Sequence, residues 1–176
     1  MQTLLAADIA TPPFDPPSAD DIRIVSAQLG RPARGVVGIA ARCVCGAPTV
    51  VATHPRLDSG EPFPTVYYLS HPAATVAMSA LEATGEMPKL AALLEDESIT
   101  AAYQRAHESY LSDRDSLEEV AQLSGISAGG MPTRVKCLHA LAAHALAAGP
   151  GVNPIGDLAL ERGDWSPLKC QCAHEA

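Results

Sequence analysis

Apolar positions along the chain run first at helical spacing, then at the short spacing of strands, then at helical spacing to the end. The first helix is predicted over Ala19 to Leu29, with Ile22, Val25 and Leu29 on one face and Ser18 or Asp20 as its cap. Gly30 and the Arg31-Pro32 pair end it. Val36 to Cys45 and Thr49 to His54 read as two strands rich in β-branched residues, joined by a CGAP turn. A Pro- and Gly-rich loop, PRLDSGEPFP, leads to a third strand over Thr65 to Leu69, where Tyr67 and Tyr68 face opposite sides.

From Pro72 onward the pattern is helical. Ala73 to Ala83 forms one helix, stopped by Gly85, and Met87 to Leu94 a shorter one with Pro88 in its first turn. Ser98 to Leu123 reads as one long charged helix or a pair, with Tyr103, Tyr110 and Leu117 on one side and solvated charges elsewhere. An SGISAGG loop precedes an Ala/Leu helix, which a Gly-Pro-Gly turn closes. Pro132 fits a first-turn position and so argues for an early start of that helix. A short helix near Ile155 to Leu160 follows. The expected architecture is a single α+β domain, mainly helical, with a small antiparallel sheet and the Ala/Leu helix as its central buried element. The TPPFDPP run makes residues 1–18 a flexible arm; residues 19–162 form the domain and 163–176 a polar tail.

Composition narrows the function. The chain has 176 residues, enough for one real core, and a formal net charge of −8. An acidic surface is poorly suited to nonspecific nucleic-acid binding, which needs cations against phosphates. No apolar run is long enough for a membrane span, and the first residues lack a signal-peptide pattern, so a cytoplasmic protein is expected. There thiols stay reduced, and five cysteines, an odd number, argue against a closed disulfide framework.

The richest segment is GGMPTRVKCLHALAAHALAAGPGVNPIG, from Gly129 to Gly156. It places Arg134, Lys136, Cys137, His139 and His144 around one apolar helix, where each polar group needs a partner. Residues two apart on a helix point about 200° apart, so Cys137 and His139 reach one ion only if the helix starts after Cys137. Cys43 and Cys45 stand in a C-x-C spacing that lets both thiols share a strand face, although two small buried residues would look the same. Cys170 and Cys172 repeat that spacing in the tail, with His174 beside them. A mobile terminus is the expectation there, with opportunistic metal capture as the alternative. Asn153 and Asp157 read as turn and capping residues.

RCVCGAP at Arg42 to Pro48, PRL at Pro55 to Leu57, PFPTVYYLSHP at Pro62 to Pro72, GGMPTRVKCLHALAAHALA at Gly129 to Ala147 and GPGVNPIGDLAL at Gly149 to Leu160 together resemble the DUF501 family of uncharacterised bacterial proteins. The resemblance spans roughly Ile22 to Leu160 and implies no activity. It does imply a cysteine at the position of His71. A Cys-to-His exchange is poor as core packing but conservative for a zinc ligand. The resemblance thus lifts Cys43 and His71 as ligands and weakens an all-thiolate iron–sulfur cluster.

The leading expectation is one zinc ion held by Cys43, His71 and Cys137, with His139 as fourth ligand and Cys45, His144 or water as alternatives. A closed set would be structural, whereas a water in the fourth position would make a hydrolase. Gly129 and Gly130 before a helix N-terminus, with Arg134 and Lys136 in or near its first turn and Arg34, Arg42 and Arg56 converging from the sheet, suggest an adjoining pocket for a phosphorylated or anionic ligand. The rival reading is a non-catalytic module that binds a protein partner and uses its metal only for folding; an iron–sulfur protein stands third. No P-loop, Ser-His-Asp order, H-E-x-x-H, Rossmann fingerprint or RNA-binding aromatic strand is present.

Overall fold

A computed structural model describes residues 14–173. Most of the arm, residues 1–13, lies outside that range. Its described end is extended: Asp15 and Ile39 exchange backbone hydrogen bonds of 3.0 and 2.8 Å. Helix α1 (Ala19–Leu29) then begins with a capping box in which the Ser18 hydroxyl and the Asp21 carboxylate satisfy each other's backbone amides. Gly30, at φ 65°, closes it in the left-handed conformation that glycine adopts without strain.

Strands β1 (Val36–Arg42), β2 (Pro48–Thr53) and β3 (Tyr67–Leu69) form an antiparallel sheet in the order β1-β2-β3. Strand β1 ends before Cys43, earlier than its β-branched run suggests. The Cys43 amide donates to the Ala47 carbonyl and the Gly46 amide to the Cys43 carbonyl, which folds 43–47 into a turn. Six helices are described: α1, α2 (Pro72–Ala83), α3 (Glu86–Ala92), α4 (Glu97–Leu117), α5 (Leu138–Ala148) and α6 (Pro154–Arg162). Helix α4 stops at Leu117, so the long charged segment resolves into a helix and a 3-10 turn at Ala121–Leu123. Among the described residues no helix is long and apolar enough to cross a membrane.

The mainly helical α+β architecture is therefore as expected, and its layers follow from strand alternation. Val50, Ala52, Tyr67 and Leu69 face the main core with α2, α4, α5 and α6, while Val51 and Ile39 pack under α1 with Val25. Tyr67 points inward and Tyr68 outward. Helix α5 is the central buried element: Leu138, Leu141, Ala142, Ala143 and His144 have no solvent exposure. Helix α6 lies close against it, because a side chain on Gly156 would collide with the Leu141 carbonyl and the Ala145 methyl.

The core also holds a polar network. The Tyr67 hydroxyl donates to Asp113 (2.7 Å), and Arg114, fully buried, donates to the Leu123 and Ile126 carbonyls. His144 stacks on Tyr67 at 5.9 Å and accepts from the Asn153 amide at Nδ1 (3.1 Å). Its surroundings are aromatic, which makes it a core residue and removes it as an alternative ligand. Burial holds it neutral and pulls its pKa down to about 4.

Candidate metal centre

The turn between β1 and β2 brings Cys43 and Cys45 to one end of the sheet. Gly46, at φ 92°, permits the reversal. Cys43 is buried and Cys45 exposed. Their convergence comes from this turn and not from alternation along a strand.

The C-terminal segment supplies the other half. After α6 the chain passes close over α2, where a Cβ at Gly163 would press on the Met78 side chain at 2.9 Å. Trp165 is only 5% exposed and lies 5.3 Å, ring to ring, from His71. The Pro167 carbonyl then accepts from the Val44 amide (2.9 Å), and a turn at Ser166–Lys169 returns the chain toward the hairpin. Cys170 and Cys172 arrive beside Cys43 and Cys45. The four sulfurs all lie within 4.8 Å of one another, and Cys45 Sγ is 3.4 Å from Cys172 Sγ. For comparison, sulfurs at the corners of a tetrahedral zinc thiolate stand about 3.8 Å apart, from Zn–S of ~2.3 Å. The tail, expected as a mobile terminus, is anchored by the buried Trp165 and by the approach of Cys170 and Cys172 to the turn, while Leu168 to Gln171 stay exposed.

Electrostatically the four thiols compete. The Ala47 backbone amide draws the Cys45 thiol down to about 7. Burial, and then the neighbouring Cys45 sulfur, push Cys172 up. Four thiolates are not held together at neutral pH without a cation, and a metal that binds them displaces their protons.

His71 stands at the edge of this group and is not a fifth equivalent donor. It caps α2: its Nδ1 accepts from the Ala73 and Ala74 amides (3.2 and 3.4 Å). The hydrogen-bond network therefore assigns the proton to Nε2, which faces Cys172 Sγ at 3.2 Å. An imidazole N–H donating to a ligating sulfur orients and tunes that ligand without binding the ion itself.

Cys137 and His139 fall elsewhere. Helix α5 begins at Leu138 and not near Pro132, so the early start is corrected. The loop before it keeps its own folding: Gly129 and Gly130 sit at φ 69° and 97°, and their carbonyls accept from the Lys136 and Arg134 amides (2.7 and 2.9 Å). Cys137 becomes the extended N-cap residue, and this late start brings its Sγ within 4.0 Å of His139 Nδ1. Glu82, near the end of α2, completes a second group of Glu82, Cys137 and His139. The His139 ring lowers the Cys137 thiol from its ordinary value, and the Cys137 sulfur raises His139 in return.

The expected single ion on Cys43, His71, Cys137 and His139 is corrected by this geometry. His71 caps the start of α2 and Glu82 lies near its end, about 16 Å away at ~1.5 Å per residue. Two groups therefore exist, one at each end of that helix. Reasoning from sequence held Cys45 only as an alternative fourth ligand, gave Cys170 and Cys172 no more than opportunistic metal capture, and passed over Glu82. The repeated C-x-C spacing carried the signal for three of them; nothing local marked Glu82.

The expected anion pocket also disperses. Arg42 makes a two-pronged pair with Asp21 (2.7 and 3.0 Å), and Arg56 binds Glu118 (2.7 Å). Arg134 and Lys136 precede α5 and do not lie in its first turn. Arg34 and Arg56 instead border, with Arg31 and Tyr68, a cleft of about 360 Å³ on the outer side of the sheet.

No curated protein and no solved structure matches the chain. A family described as a protein of unknown function, DUF501, matches residues 39–161, which include both C-x-C residues of the hairpin and the whole second group but neither Cys170 nor Cys172. The chain belongs to the DUF501 family.

Proposed function

We propose that this protein binds zinc, and that Cys43, Cys45, Cys170 and Cys172 hold one ion as a closed, structural tetrathiolate. The observation that carries this reading is the mutual approach of four sulfurs within 4.8 Å from two segments far apart in sequence. Thiolate donors select zinc over magnesium or calcium, and four protein ligands leave no coordination position for water. The ion fastens the C-terminal segment to the β1–β2 turn, with the His71 N–H supporting the Cys172 sulfur. The spacing suits a single ion better than an iron–sulfur cluster, whose bridging sulfides would spread the four cysteines further apart.

Metal content of reduced, zinc-loaded protein tests this. Changing Cys170→Ser and Cys172→Ser together should lower bound zinc by about one equivalent per chain. Zinc content unchanged by that double substitution would sink the assignment. Brown colour with stoichiometric iron would replace zinc by iron.

A further inference from the structure

The second group lies outside the thiol centre and shares no residue with it. Thr75, Ser79 and Glu82 fall at i, i+4 and i+7 on α2 and so form one stripe. His139, in the first turn of α5, lies across that stripe. Its Nε2 is 3.2 Å from the Thr75 carbonyl oxygen and 3.1 Å from Ser79 Oγ. A carbonyl only accepts, so Nε2 carries a proton, and in the neutral ring Nδ1 presents a lone pair.

That lone pair faces acceptors. Glu82 Oε1 lies 3.3 Å from Nδ1, and Cys137 Sγ lies 4.0 Å from it. A nitrogen lone pair, a carboxylate and a thiolate repel one another unless a proton or a metal cation stands among them, and a metal engages all three donors at once. Glu82 is itself aimed: its Oε1 accepts from the Leu138 amide at 2.8 Å, the first amide of α5. Each of two donors is therefore fixed by a hydrogen bond from outside the group, the arrangement found around metal ligands.

We propose that Glu82, Cys137 and His139 form a second metal site, one that takes a zinc-class divalent ion through three protein ligands and leaves the fourth position to water or a small anion. One sulfur, one imidazole nitrogen and one carboxylate oxygen make a borderline donor set, which favours zinc and its neighbours over the hard cations. The side chains of His139 and Glu82 are 27% and 31% exposed, so solvent reaches the open position. A three-ligand site with water is the catalytic pattern, in contrast to the closed set at the other end of α2. All three ligands fall within the family-matched residues, whereas the thiol centre depends on cysteines beyond them.

The test uses the Cys170→Ser/Cys172→Ser chain, which lacks the first centre, and cobalt(II) alone as probe under reducing conditions. Visible bands of tetrahedral cobalt should saturate at about one equivalent. The ion should slow alkylation of Cys137 by iodoacetamide, mapped by peptide mass. Glu82→Gln keeps an acceptor for the Leu138 amide, and His139→Ala removes the nitrogen; each should weaken cobalt binding at least about tenfold, with helicity unchanged. In the intact chain, native mass should show about two zinc ions, falling to about one in His139→Ala. A folded double-serine chain with no saturable cobalt band overturns the site. So does cobalt binding that His139→Ala and Glu82→Gln leave untouched. Neither outcome bears on the thiol centre, which the zinc count of the cysteine variants decides separately.

Discussion

The C-terminal segment should stay closed only while its metal is bound, and the size of the effect follows from what holds that segment. Ordering the backbone from Ser166 to Cys172 costs roughly 10 kcal/mol, at ~1–2 kcal/mol per residue. Burial of Trp165 returns about 3 kcal/mol and the Val44–Pro167 hydrogen bond about 1 kcal/mol. Without an ion the segment is therefore open by several kcal/mol. A structural zinc supplies about 10–16 kcal/mol, enough to reverse the balance by ~4 kcal/mol or more and hold the open fraction near 10⁻³ or lower. Lys169 lies inside this segment, so trypsin reports on it, and cleavage of a transiently open state tracks that fraction. Stripping zinc with a chelator, or changing Cys170→Ser and Cys172→Ser, should raise the rate of cutting after Lys169 by about a thousandfold. Trp165, the sole tryptophan, should shift its emission to the red in the same samples. Equal cleavage rates with and without zinc, together with an unchanged emission maximum, would refute the reasoning.

Three further outcomes are expected. Gly156→Ala forces a methyl into the Leu141 carbonyl and should destabilise the fold by about 1–3 kcal/mol or more, read by urea unfolding. Tyr67→Phe takes the hydroxyl from Asp113, leaves a half-buried carboxylate short of a donor, and should cost about 1–3 kcal/mol by the same assay. His144 has a pKa near 4 when folded against 6.5 in the unfolded chain, so the unfolded state takes up its proton first as pH falls. Its contribution is complete above pH 6.5 and is lost toward pH 4, by roughly 3 kcal/mol. Burial lowers His71 and His107 as well, so His144→Leu should shallow the acid slope without abolishing it. An identical slope in wild type and variant would contradict this account of His144.

Local chemistry was legible where it is self-contained. The apolar face of α1, its Ser18 cap and its Gly30 stop depend on residues within one helix, and they appear where the periodicity places them. The three strands and the central Ala/Leu helix were legible for the same reason. Boundaries failed where backbone turns override side-chain pattern: Cys43 to Cys45 carries a strand-like composition but bends, and Pro132 invites a helix that the Gly129–Gly130 turn delays to Leu138. That delay is what lets Cys137 and His139 approach each other.

The sequence by itself determined which donors exist and that their family is DUF501. It did not determine which donors meet. Cys45 and Cys172 are 127 residues apart, and no spacing rule links them, because their approach depends on α6 turning the chain back over α2. The length of α2 then separates His71 from Glu82 and divides one expected centre into two. Periodicity and capping act over a few residues, whereas coordination needs a few ångströms in space, and only the packed core converts the one into the other.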